Sequence, residues 1–260
     1  MENYLDYILN IIADSRNTTL QPVYGIGREA VLEEHIAPAL DGYRGMGPVR
    51  VGNQAYLQIQ NDVFGEAILA SAHAFFDSRL ERPAGHQMFT EMERLGEQAV
   101  LNYNVPDAGL WELRGAKRVH TFSSMMCWAA CDRLARIARH IGLPERAGYW
   151  AAHALTIHEK ICSDAWKPEI ESFASTFGGD RLDASLLLMV EFQFLPSKDP
   201  RFVATVRAIE KRLLRGDFLL RYDEEDDFGT PETAFLVCTM WWILALGQMG
   251  ERERAVALYE

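Results

Sequence analysis

The chain has 260 residues, of which 48% are hydrophobic, and its formal net charge at pH 7 is −11. This composition can bury a substantial core, as one large domain or as two small ones. The negative charge disfavours nucleic acid and anionic membranes as partners, because both would repel the chain, and it fits a neutral or cationic ligand. No apolar run approaches the roughly 18 residues of a membrane span, and residues 1–14 do not read as a secretory signal.

The spacing of cysteines and histidines gives no sign of a metal site. The cysteines, at positions 127, 131, 162 and 238, form neither a CxxC pair nor a zinc-ligand pattern. We expect them to be small, buried and reduced, which favours the cytoplasm as the compartment. His153 and His158 lack the HExxH pattern. We therefore predict no metal and no cofactor.

Apolar residues recur every three or four positions along much of the chain, which indicates helices and almost no strand. The main predicted helices cover residues 4–16, 56–78, 87–103, 121–141, 145–162, 182–195, 202–215, 231–249 and 251–260, with a further short helix at 28–38. Helices that are apolar on every side (182–195, 231–249) alternate with amphipathic helices (145–162, 202–215). This alternation predicts inner helices covered by outer ones, as in a toroid of helical hairpins.

Two irregular stretches interrupt the helices. The segment Gly42–Asn53 contains four glycines and a proline, which exclude a regular element, and it lacks the Lys-Ser/Thr of a phosphate loop. Its arginines, Arg44 and Arg50, could donate hydrogen bonds to ligand hydroxyls or could tie the loop down. The acidic segment Arg221–Gly229 lacks the spacing of a calcium loop, so we predict a solvated loop there.

The stretch Pro106–Gly115 places one carboxylate, Glu112, directly after a large indole, Trp111. A carboxyl against an aromatic wall is partly desolvated, which favours its protonated form and suits a general acid. An indole face also suits the apolar face of a sugar ring. The alternative from these residues alone is a tryptophan that anchors a loop on the core, with Glu112 merely solvated.

Two further acidic residues stand beside predicted helices. Asp62 directly precedes Val63 on a segment otherwise rich in apolar and small residues. Glu232 follows Pro231 at the predicted start of the helix at 231–249, where the helix dipole favours a carboxylate.

Ten stretches occur in an order and spacing that resemble glycoside hydrolase family 15, the family of glucoamylases, glucodextranases and bacterial trehalases. They are Leu20–Ile26, Gly42–Gly45, Pro48–Asn53, Gln60–Glu66, Gly109–Gly115, Leu182–Ser185, Phe194–Pro196, Asp199–Arg201, Arg221–Tyr222 and Pro231–Cys238. The resemblance implies an all-α fold, an (α/α)6 barrel, and an O-glycosyl hydrolase that releases glucose from the non-reducing end with inversion.

The resemblance also implies roles for individual residues. It makes Glu112 the general acid, places Leu110 and Trp111 in the wall of a glucose pocket, and gives Arg221 the glucose hydroxyls. It further places Arg44, Arg50 and Asp62 at the rim of the pocket. An inverting enzyme needs a second carboxylate roughly 6.5–9.5 Å from the acid to activate water. Glu232 is the candidate for this base, and the alternative for it is support of the pocket.

The chain departs from the family pattern in several places. It lacks the β-sandwich that precedes the barrel, the Trp-Leu-Arg-Asp stretch of the first inner helix, and the C-terminal segment that carries the base. We therefore expect residues 1–260 to form one helical-barrel catalytic domain that is incomplete at both ends. Phe122 and Ser124 stand where many relatives have His and Lys, so the substrate stays open between trehalose and α-linked gluco-oligosaccharides.

Three hypotheses for function follow. The first is a glucose-releasing α-glucosidase domain with a small carbohydrate as substrate. The second is a catalytically incomplete fragment that binds sugar weakly at most, and whose uncovered apolar helices could form a homo-oligomer. The third is an unrelated helical toroid, such as an isoprenoid-handling or scaffold protein, which would need an acidic metal motif on a helix or a lipid pocket.

Overall fold

The computed structural model describes residues 2–15, 20–81, 84–113, 115, 117–226 and 229–260. These residues are mainly α-helical. The helices are α1 (Glu2–Asp14), α2 (Val63–Phe76), α3 (His86–Asn102), α4 (Thr121–His140), α5 (Pro144–Asp164), α6 (Pro200–Leu213), α7 (Leu236–Met249) and α8 (Arg252–Tyr259). Short 3-10 helices cover Tyr43–Gly45, Gln54–Leu57, Pro168–Ile170 and Ala184–Met189.

The strands that the structure describes are two residues long and pair as antiparallel ladders between consecutive strands. They are β1 (His35–Ile36) with β2 (Arg50–Val51), β3 (Trp166–Lys167) with β4 (Ser172–Phe173), and β5 (Leu214–Arg215) with β6 (Phe218–Leu219). Each ladder closes a loop between helices. The sheet content therefore orders connections and does not form a separate layer.

Helix α4 lies at the centre of the core. Every residue from Thr121 to Cys131 is buried, as are Leu134, Ala135, Ile137 and Ala138, and the helix packs against α2, α3 and α5. The close approach of α2 to α4 depends on Gly65, where an added methyl group would stand 2.2 Å from the backbone oxygen of Met126. Helix α4 is thus an inner helix in the sense that the sequence predicted.

Helices α3, α5 and α6 bury one face and expose the other. Helix α6 begins as the sequence suggests, because Asp199 accepts a hydrogen bond from the backbone N–H of Arg201 at 2.9 Å and Pro200 occupies the first turn. The buried face of α5 carries Trp150, whose indole N–H donates to Glu93 on α3 at 2.7 Å. Helices α5 and α6 are therefore outer helices, as the sequence predicts.

The predicted short helix at 28–38 is wrong. Arg28 has a left-handed backbone with φ of 71°, and the chain then becomes extended in β1, which pairs with β2. The predicted helix at 56–78 begins later, at Val63, because the preceding residues form a 3-10 helix capped by the side chain of Asn53.

The apolar run at 182–195 forms a 3-10 helix over Ala184–Met189, and turns follow it. Residues 182–190 are all buried, as a nearly all-apolar run predicts, but periodicity cannot distinguish helix types when almost every position is apolar. The helix predicted at 231–249 begins only at Leu236. Its outer side exposes Leu236, Val237 and Met240, so α7 is buried on one face only.

Among the described residues, no helix is both long and apolar enough to cross a membrane. The four cysteines are free thiols, and Cys127, Cys131 and Cys238 are buried while Cys162 is half-buried. The expectation of small buried residues therefore holds for three of the four.

We predict that Gly65→Ala destabilises the fold by about 1–3 kcal/mol, because the added methyl group forces the backbones of α2 and α4 apart. Urea unfolding followed by circular dichroism measures this change. The matched control is Gly148→Ala on the exposed side of α5, where nothing lies within 4 Å of the added carbon. Because alanine favours helix, this control should gain up to about 1 kcal/mol. Equal stability of both variants would contradict the prediction.

Candidate active site

The loop that carries Glu112 is fixed at both ends by backbone hydrogen bonds. Ala108 N–H donates to Ile59 O at 3.0 Å, and Asp107 forms an isolated antiparallel bridge with Arg118. Between them Gly109 has φ of 70°, and a side-chain carbon there would lie 2.8 Å from the imidazole of His120. Only glycine satisfies both the left-handed backbone and this contact.

Glu112 closes this turn and lies at the edge of a cavity. Its N–H donates to Gly109 O at 3.2 Å. The cavity has a volume of about 310 Å³. It is lined by Asn53, Gln54, Ala55, Leu57, Gln58, Ala108, Glu112, Leu113, Gly115 and Lys117. The residue is exposed, whereas the sequence led us to expect a carboxyl shielded by Trp111.

Trp111 is half-buried in a cluster of aromatic rings. Its ring centroid lies 6.2 Å from Tyr222, 6.1 Å from Phe235 and 6.0 Å from Trp241. These separations are typical of stabilising tilted and edge-to-face ring pairs. The cluster therefore joins the Glu112 loop to two segments more than a hundred residues further along the chain. Leu110, the preceding residue, is also half-buried and packs against the core.

Asp183 holds the indole of Trp111 in place. Its Oδ2 accepts a hydrogen bond from Trp111 Nε1 at 2.7 Å, and its Oδ1 accepts one from Ser185 N–H at 2.7 Å. The carboxyl is buried, and this burial raises its pKa, although the two donors act in the opposite direction. Both oxygens are therefore used, and the ring of Trp111 has one fixed orientation.

Arg221 extends its guanidinium over this cluster. Its Cζ lies 5.6 Å from the ring centroid of Trp111 and 5.2 Å from that of Tyr222, within the range of cation–π attraction. Within the described residues it forms an ion pair with Asp226 Oδ2 at 3.9 Å, and the Tyr222 hydroxyl donates to the same oxygen at 2.6 Å. At 3.9 Å the ion pair is too long for a strong hydrogen bond.

The acidic loop is held by specific partners, which the prediction of a solvated loop did not anticipate. Asp223 forms an ion pair with Arg212 and accepts a hydrogen bond from Leu182 N–H at 3.2 Å. Glu224 pairs with Arg118 at 2.5 Å. Residues 227 and 228 of this segment lie outside the described residues. The acidic loop is thereby joined to Arg118, in the segment between Glu112 and α4.

Asp62 lies inside the protein, where only 1% of its surface is exposed, and not at an accessible rim. It stands at the N-terminal cap of α2 but makes no capping hydrogen bond, and its Oδ1 has no partner in the described part of the chain. Burial raises its pKa well above the usual range, and the negative charges of Glu66 and Asp107 add to this effect. A contact with sugar would require this carboxyl to become accessible.

Arg44 and Arg50 are exposed in the loop that joins β1 to the 3-10 helix at Gln54–Leu57. Arg44 stacks on the ring of Tyr43, with 5.2 Å between Cζ and the centroid, and Arg50 forms an ion pair with Glu34. No hydrogen bond, ion pair or ring contact joins either arginine to Trp111 in the described residues. Of the two interpretations from sequence, the observed contacts fit that of arginines that tie the loop down.

Glu232 is exposed and does not lie on a helix. The expectation that it stands in the first turn of a helix is wrong, because α7 begins at Leu236 and its cap residue is Phe235. The N–H of Phe235 instead donates to Leu219 O at 2.9 Å, which keeps the segment extended. Within the residues that the structure describes, no three His, Cys, Asp or Glu side chains could together hold a metal ion.

The structure therefore joins Trp111 and Arg221 at one place, with Leu110 next to Trp111 in the chain. Glu112, which follows Trp111, lines the cavity described above. Some of the residues around Trp111 were not predicted from the sequence. Tyr222, Phe235, Trp241 and Asp183 form the walls that orient Trp111. Asp183, Tyr222 and Phe235 belong to stretches that resemble the family, which was the one signal available for them. An aromatic side chain in an apolar helix, such as Trp241, gives no sign in sequence that it faces a site.

Solved structures with the same fold are glycosidases. One superposes with a TM-score of 0.71 over 97% of this chain and 65% of its own length, at 15% sequence identity. A second, a variant solved in complex with glucose, also has a TM-score of 0.71. At this identity the likeness establishes the fold, which is of the (α/α)6 barrel type. The predicted fold class is thereby confirmed.

Within that class, the sequence identifies the family. The profile of the glycosyl hydrolases family 15 matches residues 2–260, and the chain belongs to this family. A trehalase of Mycobacterium tuberculosis is 36% identical over 100% of this chain, which spans 38% of that protein. A trehalase of Mycolicibacterium smegmatis is 37% identical over 93% of this chain and 36% of its own length. The hypothesis of an unrelated helical toroid is therefore wrong.

We predict that Asp183→Asn destabilises the fold by about 1–3 kcal/mol. An amide has one acceptor oxygen, so its NH₂ group must face the N–H of either Trp111 or Ser185, and one donor then stays unsatisfied. Urea unfolding measures the loss, and a change in tryptophan emission reports on the ring. Asp180→Asn on the neighbouring exposed turn is the control and should match the parent. An Asp183→Asn protein as stable as the parent would contradict the role of this carboxylate.

The buried carboxyl of Asp62 predicts a pH dependence of stability. Because its pKa is raised in the folded state, the folded protein retains a proton that the unfolded chain releases above about pH 3.9. Stability from this group is therefore greatest at low pH and falls as the pH rises. We expect Asp62→Asn to gain stability relative to the parent between pH 5 and pH 8, as measured by thermal unfolding. The control is Asp217→Asn, on the exposed β5–β6 turn, whose thermal unfolding midpoint should change with pH as that of the parent does. The same pH dependence for Asp62→Asn as for the parent would disprove this explanation.

Proposed function

We propose that this chain belongs to a glycoside hydrolase that releases glucose from α-glucosides, with trehalose as the favoured substrate and Glu112 as the general acid. The observation that carries the proposal is the aromatic and cationic wall formed by Trp111, Tyr222 and Arg221, since Trp111 directly precedes Glu112 in the chain. The two relatives reported above are named trehalases, which supports the choice of substrate. Residues 1–260 would belong to a single helical-barrel catalytic domain.

Each residue of this wall has a proposed role in binding glucose. An apolar face of a glucose ring can stack on the indole of Trp111, whose orientation Asp183 fixes. Arg221 stands above the same indole and can donate hydrogen bonds to ring hydroxyls, since its contact with Asp226 is long. Leu110 supplies apolar surface next to the ring. The terminal glucose would thus be held by one planar face and one cation.

The proposed reaction is an inverting hydrolysis. Glu112, in its protonated form, gives its proton to the oxygen that leaves with the second sugar. A carboxylate on the other face of the ring removes a proton from water, whose oxygen bonds to the anomeric carbon as the glycosidic bond breaks. Glu232 is the candidate for that carboxylate, and support of the pocket is its alternative role. Water attack from the opposite face yields β-glucose from an α-glucoside.

The second candidate is a chain in which this site is catalytically incomplete and binds carbohydrate weakly at most. The observation that favours it is the outer side of α7, which exposes Leu236, Val237, Met240 and Leu244 with 38–56% of their surface accessible. Apolar area of this kind marks a face that another polypeptide covers. The same face is where a homo-oligomer would form.

The deciding experiment measures glucose release from trehalose and from maltotriose, with the product anomer followed by proton NMR. Release of β-glucose supports the proposed reaction and requires that the base lies within these residues. With trehalose the leaving sugar keeps its own anomeric centre and appears as α-glucose beside the β-glucose formed by inversion. Release of α-glucose without β-glucose, from either substrate, would overturn inversion. No release from folded protein would favour the second candidate, and calorimetric titration with glucose would then measure whether the pocket binds sugar at all.

For an active chain, we predict that Glu112→Gln lowers kcat by about 10²–10⁴-fold, since a positioned acid contributes a factor of this size. The amide keeps the shape of the side chain and removes the proton that the leaving oxygen needs. Glu232→Gln is the matched variant at the other candidate position, and a comparable loss there would identify the base. An unchanged rate for Glu112→Gln would remove this residue from the mechanism.

A further inference from the structure

The backbone of Glu112 is in an unfavourable conformation. Its φ is 57°, in the left-handed region that side-chain-bearing residues rarely adopt. Such a conformation costs on the order of 1–2 kcal/mol and persists only where the surroundings enforce it. The turn hydrogen bond from Glu112 N–H to Gly109 O, at 3.2 Å, restrains the N–H group of this residue.

The carbonyl group of Glu112 is restrained by a glutamine from a distant segment. Gln58 Nε2 donates to Glu112 O at 3.0 Å and lies 3.5 Å from Leu113 O. The same side chain accepts a hydrogen bond at its Oε1 from Gln60 Nε2 at 3.1 Å. Gln60 is only 6% exposed, so the surrounding core holds its side chain in place, and its hydrogen bond in turn holds the amide of Gln58.

The backbone between these glutamines is itself tied to the Glu112 loop. Ile59 O accepts from Ala108 N–H at 3.0 Å, and Asn61 N–H donates to Asp107 Oδ2 at 2.7 Å. The segment 58–61 therefore runs beside residues 107–113 as a rigid support. Gln58 is the member of this segment whose side chain reaches the peptide of the proposed acid.

We propose that Gln58 is a positioning residue, which fixes the orientation of Glu112 by holding its carbonyl and thereby aims its carboxyl group. This inference rests on the proposed function for its catalytic consequence only. Gln58 acts through the backbone and does not need to touch the sugar. A displacement of about 1 Å in a catalytic group can lower a rate by about 10²-fold, so the restraint matters to chemistry more than to folding.

Two substitutions separate this role from simple support of the fold. Gln58→Met keeps the length of the side chain and removes its donor, so the peptide of Glu112 loses its restraint. Water can enter the cavity of about 310 Å³ beside it and satisfy the carbonyl, so the fold should survive. Gln58→Glu places a carboxylate against the carbonyl oxygens, but its protonated form can again donate. The matched control is Gln54→Met, since Gln54 lines the same cavity and is not the donor to Glu112.

The experiment combines kinetics with hydrogen–deuterium exchange on the 260-residue chain. Without the restraint, we expect kcat of Gln58→Met to fall by about 10–100-fold with KM nearly unchanged, and amides in residues 109–113 to exchange faster. For Gln58→Glu, the deficit in kcat relative to the parent should shrink as the pH falls from 7 to 5. Gln54→Met should match the parent in both measurements. A kcat for Gln58→Met equal to that of the parent would overturn the proposal.

The exchange measurement keeps the two proposals apart. If the parent chain releases no glucose, the proposed function fails by itself, and exchange at residues 109–113 still decides whether Gln58 orders the peptide of Glu112. Faster exchange there in Gln58→Met, with the thermal unfolding midpoint preserved, supports the restraint. Unchanged exchange, or faster exchange over the whole chain, overturns it.

Discussion

The hydrogen bond from the indole of Trp111 to Asp183 is the contact on which the candidate site depends. Asp183 is itself paired with Tyr222 in an isolated bridge, and Ala184 N–H donates to Arg221 O at 2.8 Å. The carboxylate of Asp183 thus connects the loop before α4 to the 3-10 helix after α5, and the backbone of Asp183 and Ala184 connects both to the segment before α7. The aromatic wall exists because these three parts of the chain meet at Asp183.

The site is built on a region that is electrostatically costly. Asp62 and Asp107 are both buried, each with one oxygen that lacks a partner in the described residues, and burial raises the pKa of both carboxyls. Burial of polar groups without hydrogen bonds opposes folding by about 1–3 kcal/mol each. The large apolar core around α4 offsets this cost. The region at the start of α2 therefore stands out as one where close packing leaves polar atoms unsatisfied.

The sequence predicts those features that depend on repetition or on local motifs. Helical spacing locates α3 to α6 closely, and the pairing of Trp111 with Glu112 is visible as neighbouring letters. It does not predict the burial of Asp62, since this depends on how α2 meets α4 in space. Nor does it predict that Gln58 reaches Glu112, because these residues are far apart in the chain. The late start of α7 has a similar origin, as Phe235 pairs with Leu219 instead of joining the helix.

The left-handed backbone at Glu112 also bears on how this position is used. Glycine would adopt the same φ without penalty, and the substitution would relieve on the order of 1 kcal/mol of local strain. A sequence optimised for stability alone would therefore not keep a glutamate there. Proteins retain such destabilising conformations at positions where activity requires them, and stabilising changes at those positions tend to reduce activity. The turn at Glu112 is thus a place where folding and chemistry make opposite demands on one residue.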